Sequence, residues 1–273
     1  MSDYLLSIFL GIVEGITEFL PVSSTAHLRI VEAMLGVDLA SGYWKMFSIV
    51  IQLGAILVLP IYFRKRIAGF LQLRPFDANH PIVLTAVAFV CTAIPAFVLT
   101  KVIGKNLENL KLMATTLIVG GILMWVIDAT YGRRKPVVTE VEKMGMGRAI
   151  WIGLCQVLAP LIPGTSRSWA TIAAAQLSGM SRPAALEFSF LVSIPTMTAA
   201  TVYDLYKSLK PGEAVPMDSH GWTLLAIGFL VSFVVAWGVV AWFMDWVRTR
   251  GFAPFAIYRM AAGAAVLAWL AAR

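Results

Sequence analysis

Two carboxylates, Glu14 and Glu18, stand four residues apart, and a hydroxyl-rich stretch follows them: Ser23, Ser24 and Thr25, then His27. On a helix, residues i and i+4 share a face, so both carboxylates project to one side. Like charges on one stripe inside an apolar chain need compensation, from a divalent cation, a shared proton or an arginine. Oxygen ligands without thiolates suit magnesium or calcium rather than zinc, which makes Glu14 and Glu18 the candidate metal ligands. A pair lining a wet surface near the membrane interface is the plainer alternative. Ser24 and His27 lie three residues apart on adjacent turns, the spacing of a nucleophile and its base. Ser24 alone reads equally well as a helix N-cap.

A second constellation comes late in the chain. Pro163-Gly164-Thr165-Ser166-Arg167-Ser168 leads into a helical pattern with Thr171 one turn beyond Arg167. Backbone amides, hydroxyls and the positive end of a helix dipole converge there, where an anion is stabilised. Arg167 adds a planar clamp matched to phosphate oxygens. The bland reading of this loop is a tight turn with Arg167 paired to a glutamate. Arg29, Lys45, Glu187 and Arg259 also interrupt or border apolar segments, and a Glu187–Arg pair joining helices is the reading taken for Glu187.

These residues sit in a chain of 273 residues that is 59% hydrophobic and 14% charged, with a mean hydropathy of +0.79. Soluble domains carry less apolar and more charged sequence. A spanning helix needs about 20 apolar residues, and six stretches supply them: Tyr43–Phe63, Pro81–Thr100, Leu112–Ile127, Ala184–Tyr206, Trp222–Trp246 and Phe252–Leu270. The start, Met1-Ser2-Asp3-Tyr4, lacks the positive region of a secretory signal and is kept as mature structure. Cys91 and Cys155 fall inside apolar stretches and read as packing residues. The net charge of +7 sits in short loops between spans, which fits membrane orientation and not nucleic-acid binding.

The two constellations are halves of a repeat. Gly11, Pro21 and Ser24 coincide with Gly153, Pro163 and Ser166 at one constant offset, and Phe47-Ser48 resembles Phe188-Ser189 further on. One membrane domain covering 1–273 is expected, with a first repeat over about 1–105 and a second over about 148–273. Each repeat opens with two apolar pieces too short to span, broken at the Pro-containing motif, which predicts a re-entrant helical hairpin. Three crossings separate the hairpins, so they enter from opposite faces. The expected fold is therefore an all-α integral membrane protein with six transmembrane helices and two re-entrant hairpins in an inverted repeat. Such repeats bring their breaks together near the membrane midplane.

Lysine and arginine placement orients the chain. Arg64, Lys65, Arg66, Arg74, Arg133, Arg134, Lys135, Lys143, Arg148, Arg182, Arg248 and Arg250 fall on one side, taken as cytoplasmic. Lys101, Lys105, Lys111, Lys207, Lys210 and Arg273 fall on the other.

Glu14-x-x-x-Glu18 with Pro21-Val-Ser-Ser-Thr-Ala-His27, and Pro163-Gly-Thr-Ser-Arg-Ser-Trp-Ala-Thr171, together resemble the bacterial undecaprenyl-pyrophosphate phosphatase family of the bacitracin-resistance type. Gln52-Leu-Gly-Ala-Ile, Glu187-Phe-Ser-Phe-Leu and Pro254-Phe-Ala-Ile-Tyr-Arg259 extend the resemblance over almost the whole chain. It implies hydrolysis of a polyprenyl pyrophosphate to its monophosphate, in the bacterial cytoplasmic membrane with the site open to the periplasmic or extracellular side. Magnesium or calcium would support the reaction. By motif, Glu14 and Glu18 are the acidic pair, and Ser24 and His27 the nucleophile–base partners, with either one open as the attacking group and Ser24, with His27 as base, favoured. Arg167 joins the catalytic set, and Ser23, Thr25, Gly164, Thr165, Ser166, Ser168 and Thr171 bind phosphate. The partners are the lipid substrate and membrane lipids, with a homodimer left open. The family usually has Gly where this chain has Ala26 and Trp169, and the bulk of Trp169 is expected to narrow the pocket. A polyprenyl-phosphate or ion-coupled transporter on the same inverted-repeat site is the alternative function.

Overall fold

The computed structural model describes residues 2–38, 41–99, 106, 108–208 and 218–272, and these are almost wholly helix and turn. In chain order the helices are α1 (Asp3–Thr17), α2 (Ser24–Met34), α3 (Gly42–Ile56), α4 (Val58–Tyr62), α5 (Arg64–Gln72), α6 (Pro81–Val98), α7 (Leu110–Thr130), α8 (Met146–Gln156), α9 (Leu158–Leu161), α10 (Arg167–Leu177), α11 (Arg182–Ser208), α12 (Ser219–Thr249) and α13 (Ala253–Ala271). Six apolar helical stretches are long enough to cross a bilayer: Gly42–Tyr62, Pro81–Val98, Leu110–Thr130, Arg182–Lys207, Ser219–Thr249 and Ala253–Ala271. These are the six stretches expected from the sequence, and the chain is an all-helical, multi-pass integral membrane protein. Many of their apolar side chains point outward, such as Phe97 and Val234, because lipid is as good a solvent for them as a core.

Apart from α5, the remaining helices come as two short pairs, α1 with α2 and the α8–α9 run with α10. α1 and α2, of 15 and 11 residues, rise only about 22 and 16 Å, short of the roughly 30 Å of hydrocarbon. Non-helical backbone between them carries Pro21 and Val22. α8 and α9 run almost continuously to Leu161, and α10 begins at Arg167 after a second break. The residue before each second helix, Ser23 and Ser166, has the same left-handed φ of 74°. For a non-glycine residue this conformation costs about 1–3 kcal/mol and is held only by its surroundings. The constant sequence offset pairs Ser24 with Ser166, whereas the backbone pairs Ser23 with Ser166, so the breaks differ by one residue in register.

Each short pair leans on a spanning helix through small residues that let backbones approach. A Cβ on Gly11 or Gly15 would stand 2.8 Å from the carbonyl oxygens of Gly228 and Ser232 on α12. In the same way a Cβ on Gly153 of α8 would stand 2.4 Å from Ala88 O on α6. The main core gathers Phe19 beside the first break with Phe188, Phe190, Phe243 and Phe252 from the spans.

Polar contacts sort the loops onto two ends. Near one end Asp3 meets His220, Tyr43 meets Gly221 O, and Lys45 meets Glu108. At the other, Arg66 bonds Glu187 at 2.5 Å and Glu142 at 2.7 Å, the Glu187–Arg pair expected from the sequence. Burial alone would lower the pKa of the Arg66 guanidinium, but the hydrogen bonds it donates to Glu187 and Glu142 raise it above its ordinary value. Arg182 and the Phe252 amide both bind the Asp128 carboxylate at this end. Lys101, Lys105, Lys210, Arg273 and the first repeat's expected limit near 105 lie outside the described residues.

Candidate active site

The two breaks touch. Glu18, at the end of α1, accepts from Arg167 Nη2 at 2.9 Å through Oε1 and from Ser24 Oγ at 2.6 Å through Oε2. Gln52 Nε2 lies 3.5 Å from the same Oε2. Ser168 Oγ donates to Leu20 O at 3.0 Å, a second bond from one break to the other. The Glu18 side chain is 3% exposed and that of Arg167 10%, so this pair sits where Coulomb attraction is weakly screened. The pairing of Arg167 with a glutamate, raised from the sequence as the bland alternative, is present, and it runs between the two halves of the chain.

Arg167 is anchored from behind. Its Nη1 bonds Ser193 Oγ, Ser193 in turn donates to Ser189 O at 2.6 Å, and Arg167 Nε is buried without a partner. Glu14 is fully buried one turn before Glu18, and neither of its carboxylate oxygens has a partner. A buried, unpaired carboxylate is costly, so Glu14 is the group in this site most in need of a proton or a cation.

The expected Ser24–His27 pairing is not the one the structure forms. The Ser24 hydroxyl is turned toward Glu18, and both ring nitrogens of His27 are engaged elsewhere: Nδ1 with Ser23 O and Nε2 with Tyr258 OH, each at 2.8 Å. A carbonyl can only accept, so Nδ1 carries a proton and the neutral ring's Nε2 accepts from Tyr258. The rings of His27 and Tyr258 also stack, with centroids 5.5 Å apart. Spacing suggested the Ser24–His27 pair because both start α2, but helical geometry sends side chains three apart over the same turn without forcing them to meet.

The other expected phosphate binders divide. Ser166 caps α10 through the Trp169 amide and bonds Ser168 Oγ at 3.0 Å. Gly164, with φ 94°, lies where a Cβ would stand 2.8 Å from Met113 O, and Thr25 is exposed. Ser23 contributes its carbonyl to His27, and Thr165 Oγ1 turns back to Ile162 O. Thr171 is buried, its hydroxyl bonded to its own helix and to Ser189 Oγ at 2.6 Å, so it braces α10 against α11. Trp169 is buried in the main apolar core, and Ala26 packs among Met113, Ala114 and Leu117. The Trp169 bulk expected to narrow the pocket is thus taken up by the core.

Sequence reasoning passed over Gln52, Ser193 and Tyr258 as site residues, and the reach of Arg259. The first two had a signal: the alignment of Phe47 with Phe188 puts Gln52 opposite Ser193. In the structure Gln52 touches Glu18 and Ser193 touches Arg167. Glu32, also unforeseen, is a fully buried carboxylate held by Arg29 at 3.0 Å and Ser48 at 2.9 Å.

Compared with known proteins, residues 7–265 match the family model described as Bacitracin resistance protein BacA. A protein of Koribacter versatilis named undecaprenyl-diphosphatase is 59% identical, covering 98% of this chain and 99% of the relative. A protein of the same name from Novosphingobium aromaticivorans is 42% identical over the full length of both chains. Another from Xylella fastidiosa is 40% identical over 99% of this chain and 100% of its own length.

Proposed function

The chain belongs to the bacitracin resistance protein BacA family, and on that premise we propose that it hydrolyses undecaprenyl diphosphate to undecaprenyl phosphate and inorganic phosphate. Undecaprenyl phosphate is the carrier for peptidoglycan and envelope precursors, so the reaction returns it to use. The observation that carries the reading for this chain is the Ser24–Glu18–Arg167 chain across the two breaks. It offers a nucleophile, an acceptor for its proton and a cation, held together in a buried site.

In this reading Arg167 and the capped start of α10 hold the terminal phosphoryl group, exchanging part of the Glu18 contact for phosphate oxygens. Ser24 Oγ attacks the terminal phosphorus in line, and its proton passes to Glu18. The bond from that phosphorus to the bridging oxygen breaks, and undecaprenyl phosphate leaves. Water then cleaves the phosphoserine, releasing phosphate and restoring the hydroxyl. Most of the acceleration comes from positioning and charge stabilisation. His27, held by Tyr258, orients the turn that carries Ser24.

A divalent cation fits this donor set in one way only. Magnesium is commonly held by one or two carboxylates together with substrate phosphates. Glu14, with both oxygens unpartnered, and Glu18 beside it would hold the ion against the diphosphate. A cage built from protein ligands alone does not fit, since among the described residues no group of three or more His, Cys, Asp or Glu could hold a metal. When bound, the cation would neutralise charge developing on the phosphate oxygens.

The two short pairs read as re-entrant hairpins of an inverted repeat. The near-identical breaks, the matching glycine contacts and the meeting of Leu20 with Ser168 support this. The arginine-rich end with Arg66 and Arg182 is the cytoplasmic one by charge. In this reading the chain sits in the bacterial cytoplasmic membrane and the reaction is delivered to the outer side. Undecaprenyl diphosphate is the substrate partner for one chain or a homodimer alike.

Arg167→Ala tests the reading in purified, detergent-solubilised protein. Phosphate release from undecaprenyl diphosphate should fall at least 10³-fold, the scale of a lost charge clamp on a transferred phosphoryl group. Near-normal turnover in a folded variant, or a wild-type chain that releases no phosphate and only moves lipid, would reject it.

A further inference from the structure

Arg259 lies on α13, far in sequence from both breaks, yet the breaks are joined through its guanidinium. The side chain is fully buried. Nη1 donates to Pro21 O and to Thr165 O, each at 3.0 Å. Nη2 donates to Gly164 O at 2.9 Å and Thr116 O at 3.3 Å, and Nε to Leu117 O at 3.4 Å. An arginine has five N–H donors in a fixed plane, and here all five end on carbonyl oxygens. One carbonyl belongs to the first break, two to the second and two to α7. No donor is left over for a substrate.

α7 is shaped around this fork. A Cβ on Gly120 would stand 2.2 Å from Arg259 Nη2, so a side chain there would push the guanidinium off its carbonyls. A buried charge is retained only where its surroundings compensate it, and this one is compensated by backbone dipoles of the segments that carry the reaction. Lysine keeps the charge but offers three donors from a single point and cannot span carbonyls on three segments.

We propose that Arg259 is a positioning residue of the hydrolysis. It fixes the separation and angle of the two breaks, and so the aim of Arg167 across to Glu18 and Ser24, without touching the diphosphate. The inference rests on the function proposed above. Misplacement by about 1 Å is enough to cost on the order of 10²-fold in rate, so a positioning role predicts a loss in kcat with little change in KM.

The experiment uses the full-length chain with Cys91→Ala and Cys155→Ala, and spin labels at Ile16→Cys and Leu158→Cys, exposed positions beside the two breaks. Arg259→Lys and Gly120→Ala are compared with the parent for phosphate release, with label separation by pulsed electron paramagnetic resonance and thermal melting as companions. Both variants should lose roughly 100-fold in kcat, hold KM within about threefold and broaden the label distribution. Wild-type kcat in either folded variant overturns the proposal. So does a rate loss with an unchanged label distribution, which would mean that Arg259 acts on the substrate. If Arg259→Lys does not fold, Gly120→Ala decides alone, because it keeps the arginine and moves only its seat. If neither folds, Arg259 is structural and the proposal fails. A parent chain without phosphatase activity sinks the proposed function instead, and the label distances then still report whether Arg259 sets the breaks.

Discussion

Glu18→Gln separates the proton acceptor that the structure supplies from the one that spacing suggested. The substitution conserves shape and removes one charge from a carboxylate that binds Arg167 at 2.9 Å and Ser24 at 2.6 Å. The amide has one acceptor oxygen for two donors. If that oxygen stays with Arg167, the new N–H2 faces Ser24, whose hydroxyl must accept and turn its hydrogen away. Loss of a positioned general base costs 10²–10⁴-fold, or about 2.7–5.4 kcal/mol in the barrier. The folded state loses less, because a charge-assisted bond becomes a neutral one, a difference of about 1–2 kcal/mol. The variant should therefore fold and bind substrate with kcat down by at least 10²-fold. His27→Gln, which disturbs only contacts to Ser23 O and Tyr258, should lose about tenfold at most. The assay is phosphate release from undecaprenyl diphosphate under saturating substrate, with wild type and both variants purified alike. Retention of a tenth or more of the wild-type kcat by Glu18→Gln would refute the assignment. An equal loss in His27→Gln would move the base to the imidazole.

Two further outcomes are expected. Chelation should stop turnover and added magnesium or calcium restore it, and Glu14→Gln should raise the metal concentration for half-maximal rate by tenfold or more, about 1.4 kcal/mol, while leaving thermal stability equal or higher. An unaltered metal requirement would remove Glu14 as a ligand. Single cysteines replacing the exposed Leu71 and Glu140 should resist a membrane-impermeant maleimide applied to intact cells, whereas one replacing the exposed Ser219 should react. Labelling at 71 or 140 would invert the orientation.

The sequence by itself determined the solvent of this protein and the number of its spans, since long apolar runs with few charges have no alternative but lipid. It also located the breaks, because Pro21 and Pro163 with their serines interrupt helices within two similar stretches of sequence. The pairing of Arg167 with a glutamate was legible as a possibility, since buried charges seek opposite partners. What spacing along one helix could not decide was which way each side chain turns. Ser24 is three residues from His27 yet donates to Glu18, because Tyr258 on the last helix and the Ser23 carbonyl claim the imidazole. Arg259 looked like one stray charge in an apolar segment. Only the approach of α7, α13 and both breaks gave it five carbonyls to bind. Local sequence fixes periodicity and break points, whereas hydrogen-bond partners follow from which segments pack together, and those that Arg259 joins lie 94 to 238 residues from it in the chain.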